Sequence, residues 1–170
     1  MIGNTIALAP GIGYAGQLAE PDAPYFARSV RAEGSGIHAG APVLRGTNKG
    51  RQVKAVDAAV TAQNFAGIVI LETSRPFEQA APADGDGLTV LRLGSVLMNF
   101  GEAVAAGERV RIKHSDGTLD GVAAGSDPTA GYSILPQCVI SETTTGAGLA
   151  AVEVAIFGAA AESYAALLDT

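Results

Sequence analysis

The stretch that most constrains this chain runs from Gly94 to Gly121, GSVLMNFGEAVAAGERVRIKHSDGTLDG. Apolar residues alternate through Val96, Met98 and Phe100, a glycine-containing loop follows at Ala105 to Gly107, and alternation resumes at Val110 and Ile112 before Asp116-Gly117 turns the chain again. A period of two broken by glycine turns predicts antiparallel strands with one wet face. With 22 glycines in 170 residues, about twice the usual share, the pattern extends to the whole chain: many short strands joined by tight turns, not a helical bundle. The expected fold is all-β, a compact antiparallel β-barrel or β-sandwich over residues 31–158, with an extended N-terminal arm (1–30) and a short, Ala-rich, helical C-terminal tail (159–170).

The arm follows from its prolines. Pro10, Pro21 and Pro24 each remove a backbone donor and restrict the preceding residue, which suits neither a central strand nor a long helix. Tyr14, Leu18, Tyr25 and Phe26 on this segment need something to pack against, either one end of the chain's own barrel or a partner. Further on, Ala66 to Leu71 is a short, continuous apolar run of the kind buried on both faces. Asp84 to Gly87 reads as a turn, and Gly121 to Gly131 as a loop.

Two segments match each other. Ile37, Ala39, Gly40 and Val43 in GIHAGAPV recur as Val104, Ala106, Gly107 and Val110 in AVAAGERV, both glycines and both valines being 67 residues apart. This suggests an internal duplication in which each Ala-Gly turn returns the chain into a strand.

Charge and composition narrow the function. The net charge is −6 and no run of Lys or Arg stands out, so nucleic-acid binding is not expected. No apolar stretch is long enough to span a bilayer, and the first cationic side chain is Arg28, so neither a membrane span nor a secretory signal is expected. Cys138, between apolar neighbours in LPQCVIS, reads as a small buried side chain.

No catalytic, cofactor or metal site is expected. Gly11, Gly13 and Gly16 fit G-x-G-x-x-G, but Pro21 and Pro24 interrupt the helix that a dinucleotide fingerprint requires. His38 and His114 lack neighbours at metal-ligand spacing. His114-Ser115-Asp116 is not a triad by adjacency, since neighbours on a strand point to opposite faces, and His114 reads as a surface turn residue. The aspartates Asp84, Asp86, Asp116 and Asp120 sit in Asp-Gly turns without the pattern of a calcium loop.

Several segments, in this order, carry a family resemblance: GYAGQLAE (Gly13 to Glu20), RSVRAEGSGIHAGAPVLRG (Arg28 to Gly46), FAGIVI (Phe65 to Ile70), VLRLGSVLMNFGEAVAAGERVRI (Val90 to Ile112) and LAAVEV (Leu149 to Val154). Together they resemble the structural cement, or capsid decoration, proteins of tailed bacteriophages. The resemblance implies a β-rich, non-enzymatic protein that forms dimers or trimers on the outer surface of the icosahedral head and ties neighbouring major capsid protein subunits together. On that reading the arm supplies the coat contact through Tyr14, Gln17, Leu18, Tyr25, Phe26 and Arg28. The alternatives are a β-barrel accessory domain that binds a small ligand or carbohydrate, and a hydrolase using His114 with Asp116 or Asp120.

Overall fold

A computed structural model describes residues 13–20, 22–70, 82–127 and 129–156. Nine strands follow in order: β1 (Phe26–Ala32), β2 (Pro42–Arg45), β3 (Gln52–Ala55), β4 (Phe65–Ile70), β5 (Gly87–Phe100), β6 (Arg109–Lys113), β7 (Leu119–Val122), β8 (Tyr132–Ile140) and β9 (Gly148–Ala155). The described residues contain no helix; the expected helical tail lies outside them. The strands hydrogen-bond in the order β1-β3-β2-β4-β5-β9-β8-β6-β7, and a further β1–β5 pairing closes the first five into a barrel. The all-β expectation holds, in the form of a barrel that continues into a second sheet.

β5 joins the two halves. Its 14 residues span about 45 Å at roughly 3.3 Å per residue, long enough to serve both. Its first half pairs with β1 and β4 inside the barrel; its second half, Leu93 to Phe100, pairs with β9. One face of the strand does two jobs. Leu88 and Val90 enter the barrel core with Val43, Val53 and Val69, while Val96, Met98 and Phe100 enter the second core with Val110, Leu135 and Val152. That is why the alternation at Leu88 and Val90 resumes at Val96 on the same face, beyond Arg92 and Gly94, as the strand passes out of the barrel. β4 is buried on both faces as expected, Val69 facing the barrel core and Ile68 the second core.

One pairing departs from the antiparallel expectation: β1 and β3 are parallel, through Arg31↔Gln52 and Ala32↔Val53. Closure requires it. Strands around a ring of five cannot alternate direction at every step, so one ladder must be parallel.

The internal duplication is visible as geometry. Pro42 and Arg109, Gln52 and Leu119, and Phe65 and Tyr132, the first residues of β2/β6, β3/β7 and β4/β8, are each 67 apart. In both copies the central strand pairs antiparallel with the two that follow it. The Ala-Gly turns are equivalent: Gly40 (φ 77°) and Gly107 (φ 90°) adopt the left-handed conformation that glycine tolerates, and their amides donate to Val69 O at 2.7 Å and Ile140 O at 2.8 Å. Since β5 and β9 meet antiparallel, the sheet order reads 3-2-4-5 and then 9-8-6-7, an approximate two-fold arrangement. The stretch read from sequence as a loop after Gly121 begins as β7, whose short LDGV sequence carries turn-type residues and gave no strand signal.

Candidate functional site

The described part of the arm is residues 13–20 and 22–30, and its first stretch lies on the protein itself. Gly16 N donates to Leu97 O at 2.8 Å, Leu97 N to Gln17 O at 2.8 Å, and Ala19 N to Ser95 O at 2.9 Å, so Leu18 forms a bridge with Val96. Residues 16–19 thereby cover the edge of β5 that β9 leaves open, an edge that would otherwise expose unpaired amides and carbonyls. Leu18 is half-buried against the second core. The Gln17 side chain accepts from Tyr14 N at 3.3 Å, tightening the turn before the bridge. β1 starts at Phe26, within the segment expected to be arm.

The six residues singled out in the sequence therefore separate by position. Leu18 and Gln17 seat the arm. Tyr14, Tyr25 and Phe26 are more than half exposed, at 56%, 52% and 54%. Phe26 pairs with Leu93, itself 38% exposed, and Tyr25 lies against Gly94, where an added Cβ would come within 2.9 Å of the tyrosine Cβ. Phe26 and Leu93 thus form an exposed apolar pair where β1 meets the middle of β5, and Tyr25 stands exposed next to Phe26 in the chain, on the Gly94 side. Arg28 is exposed, and its guanidinium reaches Gly50 O at 3.5 Å.

Arg28 also belongs to a feature that sequence order hides. On β1 it shares a face with Val30 and Ala32, on β5 Arg92 shares one with Val90 and Leu88, and on β2 Arg45 shares one with Val43. These are the inward-facing rows of the barrel, and each ends in arginine at the same mouth. With Lys49 from the β2–β3 loop they line a cavity of about 40 Å³. No Lys or Arg run was visible in the sequence because each of these elements supplies a single cation to the mouth. Burial and the neighbouring charges of Arg45 and Arg28 lower the Arg92 pKa.

The histidine region is built for structure. His114 is half-buried, not the surface residue expected, and its Nε2 lies 2.8 Å from Ser133 Oγ. That hydroxyl accepts from Val60 N at 2.9 Å and is buried, so the pair ties the β3–β4 loop to β8. Neither carboxylate proposed beside His114 serves it. Asp116 accepts from Lys113 Nζ at 2.8 Å and Thr118 N at 3.0 Å, and these donors hold its carboxyl well below the usual carboxylate range, the Lys113 hydrogen bond contributing most. Asp120, buried at 8% exposure, holds Arg111 through two bonds, Nε to Oδ1 at 2.6 Å and Nη2 to Oδ2 at 2.7 Å; the guanidinium stacks on Tyr132 at 4.5 Å. Asp84 and Asp86 accept from the amides of Gly34 and Ala83 in their turn. Burial pushes the Cys138 thiol up to about 12, the behaviour of an inert core side chain. Among the described residues no group of three or more His, Cys, Asp or Glu is placed to hold a metal ion, and no helix is long and apolar enough to cross a membrane.

A family profile described as "Structural cement protein (E217 gp24/Pam3 gp6)" matches residues 2–155. No curated protein sequence matches the chain. Among solved structures, a chain in the capsid of Myoviridae phage XM1 is similar in fold, with a TM-score of 0.66, 17% identity, and coverage of 92% of this chain and 98% of that one. The N-terminal base of head fibre gp8.5 of bacteriophage phi29 aligns at a TM-score of 0.45 and 12% identity, over 79% of this chain and 98% of that one. With nearly its whole length matched by the profile, the chain belongs to the phage structural cement protein family and is a capsid protein of a virion.

Proposed function

We propose that this cement protein binds the outside of the assembled head as a homo-oligomer, a dimer or trimer, and ties neighbouring major capsid protein subunits together without catalysing a reaction. The observation that carries the reading is the family match over residues 2–155. The surface is consistent with it: Tyr14 stands exposed beside the backbone pinned through Gln17 and Leu18, and Tyr25 and Phe26 stand exposed at the start of β1, held by the pairing with Leu93. Rigid, exposed aromatics beside an arginine are the residue types that dominate interface energetics. Because residues 16–19 are already held on β5, that part of the arm brings a lower entropic cost of association.

An oligomer that contacts several coat subunits gains affinity through effective concentration, and by favouring the assembled state it stabilises the shell. Cryo-electron microscopy of bare shells of the same phage, incubated with the purified protein, tests the placement. Density on the outer surface bridging adjacent coat subunits, with the arm face against them, is expected. Density confined to the inner surface, or attached to single coat subunits without bridging, would contradict it. Sedimentation analysis of the free protein reads the oligomer directly, a monomer at micromolar concentration being the contrary result.

A further inference from the structure

We propose that the cationic mouth of the five-stranded barrel is a carboxylate-binding pocket that receives an acidic side chain of the coat protein. The inference rests on the cement reading and adds a second, polar anchor to the aromatic one.

The chain has 11 Lys and Arg against 17 Asp and Glu, yet Arg28, Arg45, Lys49 and Arg92 converge on one cavity, and none of them forms an ion pair among the described residues. Arg92 carries the argument. Its Nε and Nη2 are buried with no hydrogen-bond partner, although buried polar groups are almost always satisfied and an unpaired charged one is costly. Those two nitrogens form the edge of a guanidinium that binds a carboxylate through a pair of parallel bonds. The same molecule shows the satisfied form: Arg111 uses Nε and Nη2 to hold both oxygens of Asp120. A fold that pairs one half-buried arginine in this way and leaves two buried nitrogens of another, half-buried, arginine unpaired beside Arg28 and Arg45 keeps a cost that a bound oxyanion removes.

Size and position select the ligand. A cavity of about 40 Å³ takes a carboxylate head or a small inorganic oxyanion and is too small for a nucleotide or sugar. The pocket opens at the same end of the paired strands β1 and β5 as Phe26 and Leu93, which stand on the opposite face of those strands from Arg28 and Arg92. An anion held there belongs to the partner that covers the aromatics. An arginine whose carboxylate-binding edge is already out of water is also the arrangement in which an ion pair contributes most to an interface.

The test pairs shell binding with the stability of the free protein, using Arg92→Met, which keeps the bulk of the side chain, and Arg92→Lys, which keeps the charge but not the two-pronged edge. Expected is a loss of shell affinity of about tenfold or more for Arg92→Met, a weaker dependence of binding on salt, and only partial recovery with Arg92→Lys. The free Arg92→Met protein melts at the same temperature as wild type or higher, since an unpaired buried cation has been removed. Wild-type affinity in Arg92→Met would overturn the pocket while leaving the cement role standing; failure of the wild-type protein to bind shells would instead sink the cement role itself. A marked fall in the melting temperature of free Arg92→Met would overturn the inference by showing that the arginine serves the fold. So would stabilisation of the wild type, but not the variant, by millimolar inorganic phosphate or sulfate with shell binding unaffected, since the pocket would then hold a free anion.

Discussion

Gly67 shows how closely β4 and β5 are fitted within the barrel at the level of single residues. It sits in β4 at φ 140°, and a Cβ there would collide with the backbone oxygen of Leu91, an atom fixed in the β4–β5 ladder. Gly67→Ala is expected to destabilise the protein by at least ~1–3 kcal/mol, read as a lower denaturant midpoint with an unchanged slope; a change within experimental error would contradict the packing described. Asp116 provides a test in pH. Its folded pKa is depressed by Lys113 and Thr118, so its contribution is fully present above the unfolded value of about 3.9 and is lost as pH falls through the lower folded value. The melting temperature of wild type should exceed that of Asp116→Asn at neutral pH, by a margin that is constant down to about pH 5 and shrinks below about pH 4. The pair is solvent-exposed, so the margin is small. A difference independent of pH would show that the charge plays no part.

At the scale of elements, β5 makes the barrel and the second sheet a single folding unit. Leu91 is fully buried and faces the second core from the barrel wall, so Leu91→Ala should cost ~2–5 kcal/mol and lower one shared transition. Two separate calorimetric transitions, with only one shifted, would mean that the halves unfold independently. The same strand marks how far sequence reading reached. Alternation at Val96, Met98 and Phe100 was legible because one face stays apolar through the second half of β5. The Ala-Gly turns were legible because a left-handed residue before a buried valine leaves a local signature, and the 67-residue offset extended it to three pairs of strands. Barrel closure was not legible: the β1–β5 pairing joins residues about 60 apart in sequence, and Arg28 and Arg92 stand on inward-facing rows where period two predicts apolar residues. β7 was missed for a related reason. Asp120 and Gly121 look like turn residues, and only the partnership with Arg111, nine residues earlier in sequence, explains a buried aspartate in a strand.

On the scale of the whole molecule, an acidic protein concentrates three of its exposed large hydrophobic side chains, Tyr25, Phe26 and Leu93, beside its densest group of cations. The aromatic members of the proposed coat contact were visible in the sequence as side chains that a proline-rich segment could not bury. The cationic mouth was not, since its members come from β1, β2, a loop and β5 and meet only when the ring closes. Function carried by such a surface leaves no motif of reactive residues, which is why the sequence pointed to the family through scattered strand and turn segments.

The measurement that bears most directly on the central claim is co-sedimentation of the purified protein with shells of the same phage's coat protein, before and after expansion, with the shell melting temperature followed in parallel. The account predicts saturation at a fixed ratio to coat protein and a higher melting temperature for the decorated shell. Absence of binding to both forms, or saturable binding that leaves the shell's melting temperature unchanged, would contradict it.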